Sequence, residues 1–249
     1  MAVDGLPVRA ELIARRDLGA PMRDAMRVLM DRHFLGVTRE VFERDLAEKN
    51  HAIVLRDASG ALRGFTTLAI ERTEHAGEAL RVVYSGDTIV DVGARNGFAL
   101  ASAWITAVRV LCPPSDGTRV LWLLICSSIR TYRFLPVFFR EFVPQAGSDA
   151  PARALATMHA LAARRYGAAF DPAAGIVRLS DPQPVRPGRQ ACDEGPDVEW
   201  FATRNPGHLH GDELVCLCDL GDDNLTAAGR RMVRSGERAR ALHADGTAA

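Results

Sequence analysis

The feature that most constrains the fold is a succession of strand and helix patterns over residues 80–144. Residues 80–90 are rich in the β-branched and aromatic types that suit a pleated strand. Residues 98–111 contain no helix breaker and are apolar on nearly every face, which predicts a helix packed on a sheet. Residues 120–126 form a continuous apolar run that is too short for a free-standing helix, so we interpret them as an interior strand.

The turn that joins the first strand to the first helix, residues 93–99, has a composition suited to binding an anion. Gly93, Asn96 and Gly97 permit a tight turn just before a helix begins. Backbone N–H groups at such a helix start are unpaired and lie at the positive end of the helix dipole, which predicts a pyrophosphate site. The spacing does not fit G-x-G-x-x-G and includes no Walker lysine, so a dinucleotide fold or an NTPase is disfavoured.

The order strand, phosphate-type loop, helix, strand, helix resembles the central part of the GNAT acyltransferase superfamily. In that family the loop reads Q/R-x-x-G-x-G/A and cradles the pyrophosphate of acetyl- or acyl-coenzyme A. The sequence matches this pattern at Gly97 and Ala99 and departs from it at Ala94, where the family has Gln or Arg. The resemblance implies that coenzyme A is contacted, largely through backbone amides, by Ala94, Arg95, Asn96, Gly97, Phe98 and Ala99.

The N-terminal part supplies the elements that this resemblance requires. Residues 8–14 alternate as a strand does, and Pro21 and Thr38 mark the starts of two helices. Residues 52–56 and 62–70 flank an Asp-Ala-Ser-Gly turn and predict an antiparallel hairpin. The predicted fold class is therefore α+β, a mixed and mainly antiparallel sheet flanked by helices.

The C-terminal part is interpreted as an extension of one domain that comprises residues 1–249. A helical and irregular insertion precedes the last two strands of the predicted fold, and a charged helix follows them. The expected segments are a core over residues 8–142 and 198–220, an insertion over 145–197, closing strands at 198–204 and 214–220, and a C-terminal helix over 223–241.

Composition limits the partners and the compartment. The chain has 31 Lys plus Arg and 31 Asp plus Glu, so its charge gives no general attraction to nucleic acid or to an anionic membrane. No apolar run approaches the length that spans a bilayer, and the N-terminus does not read as a signal peptide. Five scattered cysteines fit a reducing compartment. We expect a cytoplasmic protein that does not bind nucleic acid.

The GNAT resemblance implies a catalytic role for Tyr132. In that family a tyrosine on the helix after the interior strand often protonates the departing thiolate, and Tyr132 lies at about this place in an aromatic-rich segment. The alternative is that Tyr132 packs with Phe134 and Phe138 and uses its hydroxyl only to satisfy a backbone group.

A second catalytic candidate is Asp87, because the family's strand before the loop lies beside the acyl thioester and a carboxylate there can relay the amine's proton. Period-two spacing predicts that Ser85, Asp87 and Ile89 share one face of the strand. The alternative interpretation is a structural carboxylate at a strand edge or turn after Gly86.

Two His and two Cys near the C-terminus are residue types that can bind zinc. The usual C-x-x-C turn is missing, and a C-x-C in a strand directs both thiols to one face without enclosing a metal. We therefore predict buried, unreactive thiols and no bound metal at His208, His210, Cys216 and Cys218.

The resemblance implies an N-acyltransferase that moves an acyl group from acetyl- or acyl-coenzyme A to an amine on a small molecule or a protein. Two alternatives stay open. One is a GNAT-like protein that takes its acyl group from an acyl carrier protein, as enzymes that make N-acyl amino acids or acyl-homoserine lactones do. The other is a GNAT-like binding module without catalysis. The departure at Ala94 favours these alternatives.

Overall fold

A computed structural model describes residues 8–94, 99–113, 117–187 and 195–245, which form a nine-stranded sheet covered by helices. The strands are β1 Val8–Ala14, β2 His51–Asp57, β3 Leu62–His75, β4 Glu78–Val90, β5 Arg119–Cys126, β6 Phe142–Val143, β7 Phe170–Asp171, β8 Ile176–Val177 and β9 Glu213–Asp219. The helices are α1 Ala20–Asp31, α2 Arg39–Ala47, α3 Ala99–Leu111, α4 Ile129–Tyr132, α5 Phe134–Phe138, α6 Ala152–Tyr166, α7 Pro196–Arg204 and α8 Ala227–Asp245.

The strand order is β1-β2-β3-β4-β5-β9-β8-β7, and β6 also pairs with β9. The β4–β5 pair is parallel, whereas the other pairs are antiparallel. The parallel ladder runs from Leu80 opposite Arg119 to Ser85 opposite Leu124 and ends there. Because β4 continues to Val90, its last residues separate from β5. We call this opening the β4–β5 gap.

Local sequence signals account for the first helices. Pro21 lies in the first turn of α1, where its missing N–H removes no helical hydrogen bond. Thr38 caps α2, and its hydroxyl accepts a hydrogen bond of 3.2 Å from the N–H of Val41. Both helix starts were predicted from the sequence and are confirmed.

Two sets of apolar side chains cover the two faces of the sheet. Ile53 and Val83 pack on one face with Trp104 of α3, and α8 lies against α3. On the other face, α1 and α2 cover β2, β3 and the end of β4, and α6 covers the centre of the sheet. Within the described residues, no helix combines the length and apolar character needed to span a bilayer.

The predicted α+β fold class is confirmed, with one error near the C-terminus. Residues 198–204 were expected to form a closing strand but belong to α7. Pro196 and Asp197 in the first turn are typical of a helix start, and Val198, Phe201 and Ala202 follow at helical spacing. The expected strand at 214–220 is confirmed as β9, which pairs on its outer side with β6 and β8 instead.

Candidate active site

Two cavities of different character meet at the β4–β5 gap. The first, of about 420 Å³, lies on the α3 side and is lined mainly by apolar residues of α3, α7 and β4; we call it the apolar cavity. The second, of about 370 Å³, lies on the side of α2 and α6 and is lined by many charged groups; we call it the polar cavity. The residues that line both are Phe34, Ser85, Thr88, Trp122, Ser127, Ser128 and Thr131.

Two arginines that line the polar cavity, Arg165 and Arg44, form ion pairs with acidic side chains. Arg165 donates hydrogen bonds of 3.0 Å to Glu48 and to Glu71, and its guanidinium lies 4.7 Å from the ring centre of Tyr84. Arg44 is 2.6 Å from Asp181.

The carboxyl groups of Asp45, Asp87 and Glu213 also line the polar cavity, together with Lys49. Asp45 comes from α2, Asp87 from β4 and Glu213 from β9. Within the described part of the chain, no three His, Cys, Asp or Glu side chains are grouped closely enough to hold a metal ion.

These carboxyl groups influence one another's protonation. Burial and the nearby charges of Asp87 and Asp45 raise the pKa of Glu213 to about 8, although Lys49 opposes the shift. Burial and the charge of Asp87 raise the pKa of Asp45 to about 6. Near neutral pH the cavity therefore holds carboxyl groups that can exchange a proton with a bound molecule.

A β-bulge determines where Asp87 points. Gly86 pairs with Thr67 and Ile89 pairs with Phe65, so two residues of β4, Asp87 and Thr88, lie opposite Thr66 alone. Asp87 has a φ of +44°, a conformation that Asp and Asn adopt more readily than most residues.

The bulge contradicts the prediction that Ser85 and Asp87 share a face. Ser85 contacts Trp104 on the α3 side, whereas the carboxylate of Asp87 accepts a hydrogen bond of 3.1 Å from Thr67 and lies in the polar cavity. The extra residue shifts the side-chain alternation by one, so period-two counting fails across it. Asp87 and Ile89 do lie on the same side, since Ile89 packs with the α1–α2 cluster.

Ser85 occupies the end of the parallel ladder and lines both cavities. Its hydroxyl oxygen accepts a hydrogen bond of 3.0 Å from the indole N–H of Trp104 and one of 2.9 Å from that of Trp122. The two indole rings are buried, with centroids 4.3 Å apart.

The predicted coenzyme A loop borders the apolar cavity. Its two ends, Ala94 and Ala99, both line that cavity, and Ala99 is the first residue of α3. Arg95, Asn96, Gly97 and Phe98 lie outside the described residues. The assignment of this loop to coenzyme A stays a prediction.

Tyr132 lies in the core beside the cavities. Its side chain is 1% exposed, and its ring contacts Phe142, Trp200 and Phe201 rather than the predicted Phe134 and Phe138. It is not among the residues that line either cavity. Burial raises the pKa of its phenol above its ordinary value. This placement favours the packing role, and the catalytic role stays a prediction.

The thiols of Cys216 and Cys218 lie on one face of β9 and are buried in the cluster that packs against α3. Burial raises the pKa of the Cys218 thiol. His208 and His210 lie in a short 3-10 helix before β9, and His208 Nδ1 is 2.8 Å from the carbonyl oxygen of Asn205.

Sequence reasoning missed three residues of the site: Asp45, Ser85 as a hydrogen-bond centre, and Glu213. Asp45 and Glu213 are distant in the sequence and converge only because β9 pairs beside β5 and α2 covers the same face. The available signal for Glu213 was its place at the start of the apolar run of β9, because a charged residue seldom lies beside a core unless it has a partner.

Solved structures with partial similarity include known acyltransferases. An acyl-CoA N-acyltransferase from Pseudomonas aeruginosa is 20% identical with a TM-score of 0.36, covering 47% of this chain and 79% of that chain. A GNAT family N-acetyltransferase from Escherichia coli, solved in complex with CoA, is 19% identical with a TM-score of 0.36, covering 52% and 67%. A conserved protein of unknown function from Enterococcus faecalis is 13% identical with a TM-score of 0.41, and the match covers 55% of this chain but only 33% of that one.

No protein-family model and no curated protein matches the sequence. The order of β1 to β5 with α1, α2 and α3 and the mainly antiparallel sheet agree with the GNAT-like fold class that the sequence resemblance predicted.

Proposed function

We propose that this chain is an N-acyltransferase that moves an acyl group from acyl-coenzyme A to an amine. The observation that carries the proposal is the meeting of an apolar and a polar cavity at the β4–β5 gap. A thioester at the gap has an apolar chamber for its acyl group on one side. On the other side it faces carboxyl groups that attract an ammonium group.

The donor enters this proposal from the α3 side. The ends of the predicted pyrophosphate loop, Ala94 and Ala99, line the apolar cavity. In this proposal coenzyme A held at this loop follows the part of the cavity beside α3 to Trp122 and Ser85 at the gap, and the part lined by α7 receives the acyl group. The volume of about 420 Å³ is large compared with the roughly 150 Å³ of an engineered cavity that holds benzene.

The acceptor enters from the polar cavity. An amine arrives as an ammonium ion and must lose a proton before its nitrogen can attack, so a carboxylate nearby both attracts it and accepts the proton. Asp87 is our candidate for this proton acceptor, because it lies at the bulge next to the gap and Thr67 holds its carboxylate. Asp45 and Glu213 extend the same acidic surface.

The transfer step forms an amide and releases coenzyme A. The amine nitrogen forms a bond to the thioester carbon, and the C–S bond breaks as the thiolate leaves. The nitrogen loses two protons in all, one to Asp87 before it attacks and one as the amide forms. The thiolate takes up one proton to give free coenzyme A, so one proton is released to solvent overall. Tyr132 remains the sequence-based candidate for donating the proton that the thiolate takes up.

Calorimetry with coenzyme A, followed by a thiol-release assay with acyl-coenzyme A and a panel of amines, tests the proposal. Coenzyme A should bind, and Gly97→Trp should abolish binding by blocking close approach to the loop. Ala58→Trp, at the exposed β2–β3 turn, is the matched control and should bind normally.

Each negative result has a distinct meaning. If the wild-type protein does not bind coenzyme A, the coenzyme A donor is wrong and the acyl carrier protein alternative becomes the leading one. If coenzyme A binds but no amine in the panel releases thiol, the binding-module alternative becomes the leading one.

A further inference from the structure

The hydroxyl of Ser85 has an unusual hydrogen-bond arrangement. A serine hydroxyl has two acceptor lone pairs and one proton to donate. The indole N–H groups of Trp104 and Trp122 occupy both acceptor positions, at 3.0 Å and 2.9 Å. The one hydrogen bond that the hydroxyl can still form is the one that it donates. The two fixed indole donors restrict the direction of that O–H bond.

Ser85 lies at the place where β4 and β5 separate. Ser85 is the last β4 residue in the parallel ladder with β5, so the strands separate next to it, and it lines both cavities. The two indoles approach its oxygen from α3 and from β5. The open space that Ser85 borders is the gap with its two cavities.

We propose that the Ser85 O–H donates a hydrogen bond to the carbonyl oxygen of the acyl thioester and stabilises the oxyanion that forms during transfer. This inference rests on the proposed function, because it needs a thioester at the gap. It adds a catalytic side chain that neither the sequence pattern nor the fold assigned.

The physical advantage lies in preorganisation. A hydroxyl that accepts two hydrogen bonds is polarised and becomes a stronger donor itself. Since Trp104 and Trp122 hold it in place, it need not reorient when charge develops on the oxygen. When the amine nitrogen adds to the carbonyl carbon, the C=O electron pair moves to the oxygen, and the hydrogen bond from Ser85 strengthens. Collapse of this intermediate restores the C=O bond and expels the thiolate, and Ser85 keeps its proton throughout.

The test compares the binding of acetyl-coenzyme A with that of S-ethyl-coenzyme A, in which a methylene replaces the carbonyl. Wild-type protein should prefer acetyl-coenzyme A by roughly three- to tenfold, the worth of one hydrogen bond. Ser85→Ala should bind both ligands equally, and Ser85→Thr, which keeps a hydroxyl, should retain the preference. Because each protein provides its own ratio, a partial loss of folded protein does not disturb the comparison.

Trp104→Phe and Trp122→Phe are further variants in case Ser85→Ala does not fold. Each removes one donor to Ser85 and frees its hydroxyl to rotate, so the preference should fall in both. Turnover of Ser85→Ala should drop by roughly a hundredfold or more, whereas the KM for acyl-coenzyme A should rise by no more than the roughly three- to tenfold that is lost in binding. An unchanged preference in Ser85→Ala overturns the role of Ser85 alone, whereas failure of wild-type protein to bind either ligand overturns the proposed function and this inference with it.

Discussion

The phenol of Tyr132 donates a hydrogen bond of 3.4 Å to the backbone carbonyl oxygen of Pro144. The bond is long, but it gives a buried hydroxyl a partner inside the core. This contact favours the packing role of Tyr132 between α4 and the segment after β6, and its catalytic role stays a prediction.

Tyr132→Phe distinguishes the two roles. The change keeps the ring and its contacts with Trp200 and Phe201. From the burial of Tyr132 we expect a loss of about 1 kcal/mol in the free energy of unfolding, because the carbonyl of Pro144 loses a partner, with unchanged turnover. Thermal melts and acyl-transfer rates on both proteins provide the measurement. A fall of roughly a hundredfold in turnover at unchanged stability would instead establish Tyr132 as the general acid.

Glu213→Gln tests the electrostatics of the polar cavity without any substrate. Glu213 has an ordinary pKa of 4.5 and a pKa of about 8 in the fold. The folded state therefore binds this proton more tightly, so the contribution of Glu213 to stability is complete below pH 4.5 and is lost as the pH rises to about 8. Glu213→Gln should raise the melting temperature at pH 8.5 relative to wild type and change it little at pH 4.5.

Asp45→Asn is the matched control for that experiment. The fold raises the pKa of Asp45 from 3.8 to about 6. The stability that protonated Asp45 contributes is therefore lost between pH 3.8 and about pH 6. The two windows overlap between pH 4.5 and about 6, so urea melts across pH 4 to 9 should show that only the Glu213 effect continues to grow above pH 6. Identical pH profiles for wild type and Glu213→Gln would contradict a raised pKa at Glu213.

Ala202→Phe tests the apolar cavity as the acyl chamber. Ala202, on α7, lines that cavity, and a phenyl group there fills part of its volume. Binding of long-chain acyl-coenzyme A should weaken by at least tenfold, while binding of acetyl-coenzyme A should be retained, because only the long chain needs the filled space. The neighbouring Thr203→Phe, at an exposed position on the same helix, should leave both unchanged. Equal losses for short and long chains would count against this use of the cavity.

Gly236→Ala tests how α8 docks on α3. An alanine usually stabilises a helix interior by about 1 kcal/mol relative to glycine. Here the added methyl group would overlap Thr106 Oγ1 and lie 2.7 Å from the backbone carbonyl oxygen of Ser102. We expect a net destabilisation of about 1–3 kcal/mol from overpacking, whereas Ser235→Ala, exposed on the same helix, should not destabilise. A chemical melt in which Gly236→Ala is more stable than wild type would refute this close packing.

The sequence predicted the fold well where a local signal determines the structure. Val8–Ala14 alternates, Thr38 caps a helix, and the apolar run of β5 is buried, so each was identified correctly. The closing strand at 198–204 failed because its apolar residues suit either period, and the helix-start signal of Pro196 was given too little weight.

The site was less predictable because it depends on tertiary structure. A single bulge at Asp87 shifts the side-chain alternation of β4 by one residue. Gly86 was the only local sequence signal for this bulge. Glu213 and Asp45 meet Asp87 only after β9 pairs beside β5 and α2 packs across the sheet. Ser85 likewise gains its two indole donors from elements that follow it in the chain.

Asp87→Asn tests the proposed proton acceptor and its influence on the other carboxyl groups together. Asn tolerates the φ of +44° as Asp does and can still accept the hydrogen bond from Thr67, so the bulge should persist. Because the charge of Asp87 raises the pKa of Asp45 and of Glu213, its removal should lower both, from about 6 and about 8. Carboxyl ¹³C NMR titration of the free protein measures this shift, and amine acylation should fall by roughly a hundredfold or more at pH 7. Lowered pKa values with normal acylation would show that Asp87 is only an electrostatic neighbour and that another carboxylate accepts the proton.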